Sequence, residues 1–280
     1  MLFRSEVALG SMLRDQGDLA GAEEHYRRAL AAAPDCFEAR INLGVVLRAS
    51  GHTSEAADEY RAAIRLRPDS PEGHCNLGNA LHAQGNAEAA LASYRTAIRL
   101  RPEYAEAHLN LGIALLLGGD YGEGWREYEW RWKCRDALRF NDLRGEFNRP
   151  RWTGTQADGQ RILLQAEQGF GDAIQFIRLA RDVAALGATV LVECQPELQR
   201  LLASAPGVAS VFARDEPLPD FDTHCPLLSV AGLLGVDPAR TPAQVPYLSP
   251  PADRAAAWKR RIEAEFPGPE PRIGVVWAGD

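Results

Sequence analysis

Asp172 closes the turn Gln168-Gly169-Phe170-Gly171-Asp172, where the apolar run Ile162-Leu163-Leu164 gives way to a helical pattern. A carboxylate in such a turn has two chemistries. It can cap the helix by accepting from backbone N–H groups, which stabilises by about 1 kcal/mol. It can instead be a general base at the mouth of a cleft, taking a proton from an acceptor hydroxyl. The two glycines let backbone N–H groups approach an anion. The turn is an incomplete GxGxxG, since Phe176 and Ile177 follow where a third glycine would fall, and so is a weak dinucleotide fingerprint.

A second set of polar residues recurs. Asn42, Asn76 and Asn110 each immediately precede a Leu-Gly pair. An amide both donates and accepts, so a ladder of such residues holds an extended peptide backbone without reading side chains. The bland reading is that each asparagine bonds locally in its own helix; Ala8 interrupts the series. His74 and His108 also share one position, too far apart to ligate one metal, and read as groove lining or inter-repeat packing. His224-Cys225 could suggest a nucleophile pair, but adjacent residues point apart and no third partner is evident, so both read as strand-end packing. Cys36, Cys75, Cys134, Cys194 and Cys225 form no CxxC pair. Neither a disulfide framework nor a metal site is expected, and a reducing, cytoplasmic setting fits.

The elements that must position these residues follow from periodicity. Residues 3–36, 37–70 and 71–104 align at a period of 34, with a partial fourth segment from 105. Leu9-Gly10, Leu43-Gly44, Leu77-Gly78 and Leu111-Gly112 recur in phase, as do Gly17, Gly51, Gly85 and Gly119. Ala22, Ala56 and Ala90, then Tyr26, Tyr60 and Tyr94, then Pro34, Pro68 and Pro102 complete each segment. Small residues let two helices approach, the second glycine suits a turn with φ > 0, the tyrosine fills space between segments, and the proline ends the second helix. This pattern resembles the tetratricopeptide repeat, which implies an α-solenoid of helix-turn-helix units whose concave face is lined by the first helix of each.

After Gly119 the small residues give way to aromatics in Gly124-Trp125-Arg126-Glu127-Tyr128-Glu129-Trp130-Arg131-Trp132. Trp125, Tyr128 and Trp132 share one helical face and read as a hydrophobic plug that stops the stack. Residues 137–160 lack periodicity and read as an irregular connection. From Arg161 strands alternate with helices: strands at 162–164, 188–192, 208–213, 221–225 and 273–277, and helices at 173–186, 196–203, 226–234 and 252–266. Continuous apolar strands separated by helices predict a parallel sheet in an α/β Rossmann-like domain. Ligands in such folds sit at the carboxyl ends of the strands, where Asp172 lies. The expected domains are 1–118 (repeats), 119–160 (aromatic capping helix and connection) and 161–280 (α/β domain).

The length of 280 residues suits about two domains, and 46% hydrophobic with 25% charged residues is ordinary for a globular chain. The net charge of −7 argues against nucleic acid as a partner, and no apolar run approaches the ~20 residues of a membrane span.

The stretch from Gln165 to Val208, with Phe221-Asp222-Thr223-His224-Cys225-Pro226 and the terminal Ile273-Gly274-Val275-Val276-Trp277, resembles bacterial tetratricopeptide-repeat glycosyltransferases. Their second part is similar to the heptosyltransferases of the two-domain GT-B architecture, and their asparagine ladder to that of O-linked N-acetylglucosamine transferase. The resemblance covers nearly the whole chain. It implies an inverting transfer from a nucleotide sugar as co-substrate, with no tightly bound cofactor. Asp172 matches the family's proposed base, Gly169 and Gly171 would shape its turn, and Glu167 and Gln168 would flank the acceptor. It further implies a protein or peptide partner in the repeat groove and a glycan or protein acceptor. In the family the strand at 273–277 opens the donor domain, so the chain is expected to lack the donor half and to be inactive alone. A non-catalytic interaction module is the alternative.

Overall fold

The computed structural model describes residues 2–134, 148–155, 157–238 and 245–268. The chain divides into two compact parts: residues 1–142 with 231–242 (the repeat part), and 143–230 with 243–280 (the sheet part).

The repeat part holds four helical hairpins: α1 (Leu2–Asp15) and α2 (Leu19–Ala32), α3 (Phe37–Ala49) and α4 (Thr53–Leu66), α5 (Pro71–Ala83) and α6 (Ala87–Leu100), α7 (Ala105–Leu117) and α8 (Tyr121–Tyr128). Each first helix packs on its own partner, each second helix on the next hairpin, and successive first helices touch. The expected glycines make the intra-hairpin turns, with φ of 86° at Gly17 and Gly51, 77° at Gly85 and 85° at Gly119. Asp18, Asn86 and Asp120 cap the second helices, each side chain accepting a backbone N–H three residues on.

The mid-helix glycines have a steric cause. A Cβ on Gly10, Gly44 or Gly78 would lie 2.7, 2.5 and 2.5 Å from the ring of Tyr26, Tyr60 and Tyr94 respectively. The tyrosine therefore lies on the glycine of its own hairpin. It also faces the next one: Tyr26 is fully buried in a cluster with Leu43, Val46 and Leu47.

A polar clasp recurs between residues 19 apart, joining the first and second helix of a hairpin. His25 Nδ1 meets Glu6 Oε2 at 2.6 Å, Arg40 Nη1 donates to Glu59 Oε2 at 2.8 Å, and His108 pairs with Glu127. Arg40, His74 and His108 also bond the carbonyls of Pro34, Pro68 and Pro102, at 2.8 Å for Arg40 Nη2, 3.0 Å for His74 and 2.8 Å for His108. Of the two roles open to the histidines, inter-repeat packing is the one observed.

The fourth hairpin stays in phase further than its sequence suggested. Gly124 takes the small-residue position and Tyr128 the tyrosine position. The backbone of Tyr128 comes within 2.6 Å of where a Gly112 Cβ would be. Arg131 then stands where the other hairpins have alanine, and α8 gives way to a 3₁₀ turn (Glu129–Lys133). The aromatics are internal packing: Trp130 stacks on His108 at 3.8 Å, Trp125 meets Tyr128 edge-on, and Trp125 Nε1 donates to Val236 O at 3.3 Å.

The sheet part contains β1 (Arg161–Gln165), α9 (Phe170–Phe176), α10 (Ala180–Ala185), β2 (Thr189–Cys194), α11 (Gln199–Leu202), β3 (Val208–Ala213), β4 (Thr223–Pro226), α12 (Ser229–Leu233, shared with the repeat part) and α13 (Ala252–Glu265). The strands are parallel and ordered β3-β2-β1-β4. Ile162, Leu163 and Leu164 of β1 are fully buried, as a central parallel strand requires. Two expectations need correction. The helix after β1 starts at Phe170, not 173, and a 3₁₀ turn at Ile177–Leu179 breaks it into α9 and α10. The strand expected at 273–277, and the connection at 137–147, lie outside the described residues.

Gly44→Ala would gain about 1 kcal/mol of helix propensity, but its methyl group overlaps the Tyr60 ring. Overpacking of this kind costs about 1–3 kcal/mol. The expected outcome is a lower urea midpoint, a net loss of up to about 2 kcal/mol; a raised midpoint would refute the contact.

Candidate functional site

The sequence points to two sites, one in each part. In the sheet part the chain winds β1 to β2 to β3 in one direction, then returns to place β4 on the other side of β1. Such a reversal opens a crevice at the carboxyl ends of the strands. The turn after β1 lies at that end of the sheet.

That turn is tied to the ends of the other three strands. Glu167 is fully buried, and its carboxyl oxygens accept from the backbone N–H of Leu227 (2.9 Å) and Leu228 (3.3 Å), just past β4. Gln195, just past β2, donates from Nε2 to the Gln168 carbonyl at 2.6 Å. Arg214, just past β3, donates from Nη2 to the Ala166 carbonyl at 2.6 Å. Glu167 and Gln168, named from the sequence as acceptor-side residues, are thus spent, one by side chain and one by carbonyl, on holding the turn.

Asp172 follows within this tethered turn. The cap reading is corrected: the N-cap of α9 is Gly169, and Asp172 is the third helical residue. Its side chain is half-buried, and no hydrogen bond or ion pair engages it among the described residues. Gly169 and Gly171 are exposed, and a Cβ built on Gly171 would meet nothing within 4 Å. The turn therefore leaves open space beside an unspent carboxyl group.

Below the turn, a polar chain crosses three strands. Glu193 Oε2 of β2 accepts from Gln165 Nε2 of β1 at 3.1 Å, and Gln165 Oε1 faces His224 Nδ1 of β4 at 3.0 Å. The carboxyl oxygen fixes the amide orientation, so His224 donates from Nδ1. Burial, reinforced by the Arg151 charge and opposed by a backbone bond at Arg149, lowers the His224 pKa. Cys225 is buried, with its thiol on its neighbour's carbonyl. Sequence reasoning missed the Gln165 and Glu193 members, because polar residues inside an apolar strand give no periodic signal.

In the repeat part the three asparagines do not bond one another. Asn42 Oδ1 accepts from Arg14 Nη1 at 3.4 Å, and Asn110 Nδ2 donates to Asn79 Oδ1 at 2.9 Å. Asn79 Oδ1 also accepts from the Tyr94 hydroxyl at 2.9 Å. Asn76 is half-buried and has no hydrogen-bond partner among the described residues. Asn79, which the sequence reading passed over, is the junction of this network. Among the described residues no cluster could hold a metal ion, and no helix is long and apolar enough to cross a membrane.

Comparison with known proteins bears on the repeats. Residues 7–71 and 59–92 match models of the tetratricopeptide repeat, and residues 78–119 a further model of the same repeat. Protein FlbA of Caulobacter vibrioides is 26% identical over 190 residues, covering 58% of this chain. The chain spans only 29% of that relative's length. Among solved structures, MamA is 26% identical over 47% of this chain and 72% of its own, with a TM-score of 0.43. A mutant O-GlcNAc transferase from Thermobaculum terrenum is 23% identical over 69% of this chain and 37% of its own, with a TM-score of 0.46.

Two outcomes test the sheet part. Glu167→Gln places an amide NH2 against one of two backbone N–H donors, and is expected to cost about 2 kcal/mol by urea denaturation. Because the folded pKa of His224 lies below its unfolded value, its neutral form is the stabilising one. Its contribution is present above the unfolded pKa of about 6.5 and is lost as pH falls through the folded one. The wild type should therefore lose stability between pH 7 and 5 more steeply than His224→Gln; parallel profiles would refute this assignment.

Proposed function

We propose that the repeats take an extended segment of a protein partner along their first-helix face, through Asn42, Asn76 and Asn110. The sheet part then supplies the acceptor side of an inverting sugar transfer, with Asp172 as base. In this reading residues 1–118 are the recruiting solenoid, 119–160 its aromatic cap and connection, and 161–280 a Rossmann-like acceptor domain of a GT-B glycosyltransferase.

One observation carries the reading. The Asp172 carboxyl is unspent just past a turn held from three neighbouring strands, on the carboxyl-end side of β1 and β4. The parallel order β3-β2-β1-β4 supports it. The chemistry is a single displacement. An acceptor hydroxyl oxygen attacks the anomeric carbon of a nucleotide sugar, Asp172 takes the hydroxyl proton, and the glycosyl–diphosphate bond breaks with inversion to release the nucleoside diphosphate. Gly169 and Gly171 keep side chains out of the acceptor's path, while Glu167 and Gln168 fix the turn.

The second reading, an interaction module without catalysis, is favoured by the family matches, which all fall within residues 7–119. Transfer from UDP-, GDP- and ADP-sugars to peptide and glycan acceptors separates the two, assayed with this chain and with any longer product of its reading frame. Asp172→Asn is expected to lower the rate by about 10²–10⁴ with circular dichroism unchanged. No transfer in either form would leave the interaction module standing.

A further inference from the structure

We infer that the first-helix face of the repeats selects a polyproline II-like peptide segment bearing an acidic residue at every third position, read by Arg14, Arg48 and His82. The inference rests on the peptide-binding reading above and adds the chemistry of the partner. Arg14, Arg48 and His82 occupy one position in successive first helices, 34 residues apart. Each lies in the last turn of its helix, where a cation also complements the helix dipole. That explanation does not account for their surroundings.

Arg14 reaches across to Asn42 Oδ1, so the basic row and the asparagine row share a face. Arg48 lies close enough to act on two buried tyrosines. Burial pushes the Tyr60 hydroxyl up to about 12, with the Arg48 charge opposing it, and the same charge acts on Tyr94. The Tyr94 hydroxyl leads through Asn79 to Asn110. The basic row thus borders the amides of Asn42 and of the Asn79–Asn110 pair.

The row is also under-neutralised in a chain of net charge −7. Elsewhere on the repeats, Arg27, Arg28, Arg61, Arg67, Arg95 and Arg101 each pair with a carboxylate, while Arg65 and Arg99, on second helices, form no ion pair among the described residues. Arg48 and His82 have no ion-pair partner among the described residues, and Arg14 pairs only with its exposed neighbour Asp15. The acids Glu38 and Glu72, at the opposite ends of these helices, are already taken by Arg67 and Arg101. An acidic occupant meets, at Arg48 and His82, basic groups that form no ion pair among the described residues, and few competing carboxylates.

Geometry sets the spacing. Packed helices lie about 8–10 Å apart, and α1, α3 and α5 touch in succession. A polyproline II segment turns once every three residues and rises about 9.3 Å in doing so. Side chains at i, i+3 and i+6 then point the same way, one to each helix. The segment makes no internal hydrogen bonds, so its N–H and C=O groups are free for the asparagine amides.

The test is fluorescence anisotropy at low salt with three labelled, proline-containing peptides of one length: glutamates at i, i+3 and i+6; three consecutive glutamates; and glutamines in the spaced positions. The spaced-acid peptide is expected to bind about tenfold more tightly than either other, with the advantage shrinking as salt rises. Arg48→Gln should remove most of that advantage, while Arg65→Gln, an exposed arginine outside the row, should leave it. Equal binding of all three peptides would overturn the basic-row inference and leave the asparagine groove standing. Equal binding of the two acidic peptides would overturn the spacing. No binding of any peptide by the folded chain would overturn both the inference and the groove.

Discussion

A tyrosine ring resting on a backbone with no Cβ is the contact on which the repeat part depends. It sets how closely the two helices of a hairpin approach, because nothing larger than hydrogen fits beneath the ring at Gly10, Gly44 or Gly78. Once the ring is seated, its other side is presented to the next hairpin, and Leu43, Val46 and Leu47 close over Tyr26. One residue pair thus fixes both the hairpin and the stacking. The fourth hairpin shows the limit of the device. Gly112 and Gly124 bring its helices closer still, but Arg131 cannot occupy an alanine's space, and the α-helix ends at Tyr128. Trp130 then stacks on His108 of the same hairpin, and Trp125 bonds the carbonyl of Val236.

The sheet part solves a different problem. A glycine-containing turn at the end of a strand is cheap to bend and costly to hold, because glycine loses the most backbone freedom on folding. Here the turn after β1 is held by Gln195, Arg214 and Glu167, each anchored near the end of a different neighbouring strand. Two of those bonds are received by main-chain carbonyls and the third set by a buried carboxyl group. The position of Asp172 is therefore set by all four strands. This precision costs a buried acid at position 167, which local packing of a loop would not require.

Much of this was legible in the sequence. The repeat period, the positive-φ glycines and the β3 strand at Val208–Ala213 appear where side-chain size and periodicity placed them. What was not legible depended on contacts between distant residues. The 3₁₀ break at Ile177–Leu179 lies in a stretch whose apolar spacing reads as one helix. Gly124 and Tyr128 kept the repeat in phase, but the surrounding tryptophans dominated the composition and masked it. The side chains of Glu167 and Gln165 look alike in sequence to any polar residue near a turn; only their partners, 60 and 59 residues away, show what they do.

The economy of polar groups separates scaffold from site. Glu167, Gln165, Glu193 and His224 are chemically attractive residues in or just past the strands of the sheet, yet each is bound to another part of the fold. Asp172 is beside them and is not. In the repeats, His74 and His108 are taken by prolyl carbonyls, whereas the half-buried Asn76 and His82 make no hydrogen bond among the described residues. A buried or half-buried polar group that bonds nothing is costly to maintain, and a stack built from a 34-residue template had many chances to replace it. Among the groups discussed above, Asn76 on the first-helix face and Asp172 beside the open glycine turn are polar side chains that no hydrogen bond engages among the described residues. Residue type alone does not separate Glu167 from Asp172 as a carboxylate near the turn; the partners already engaged do.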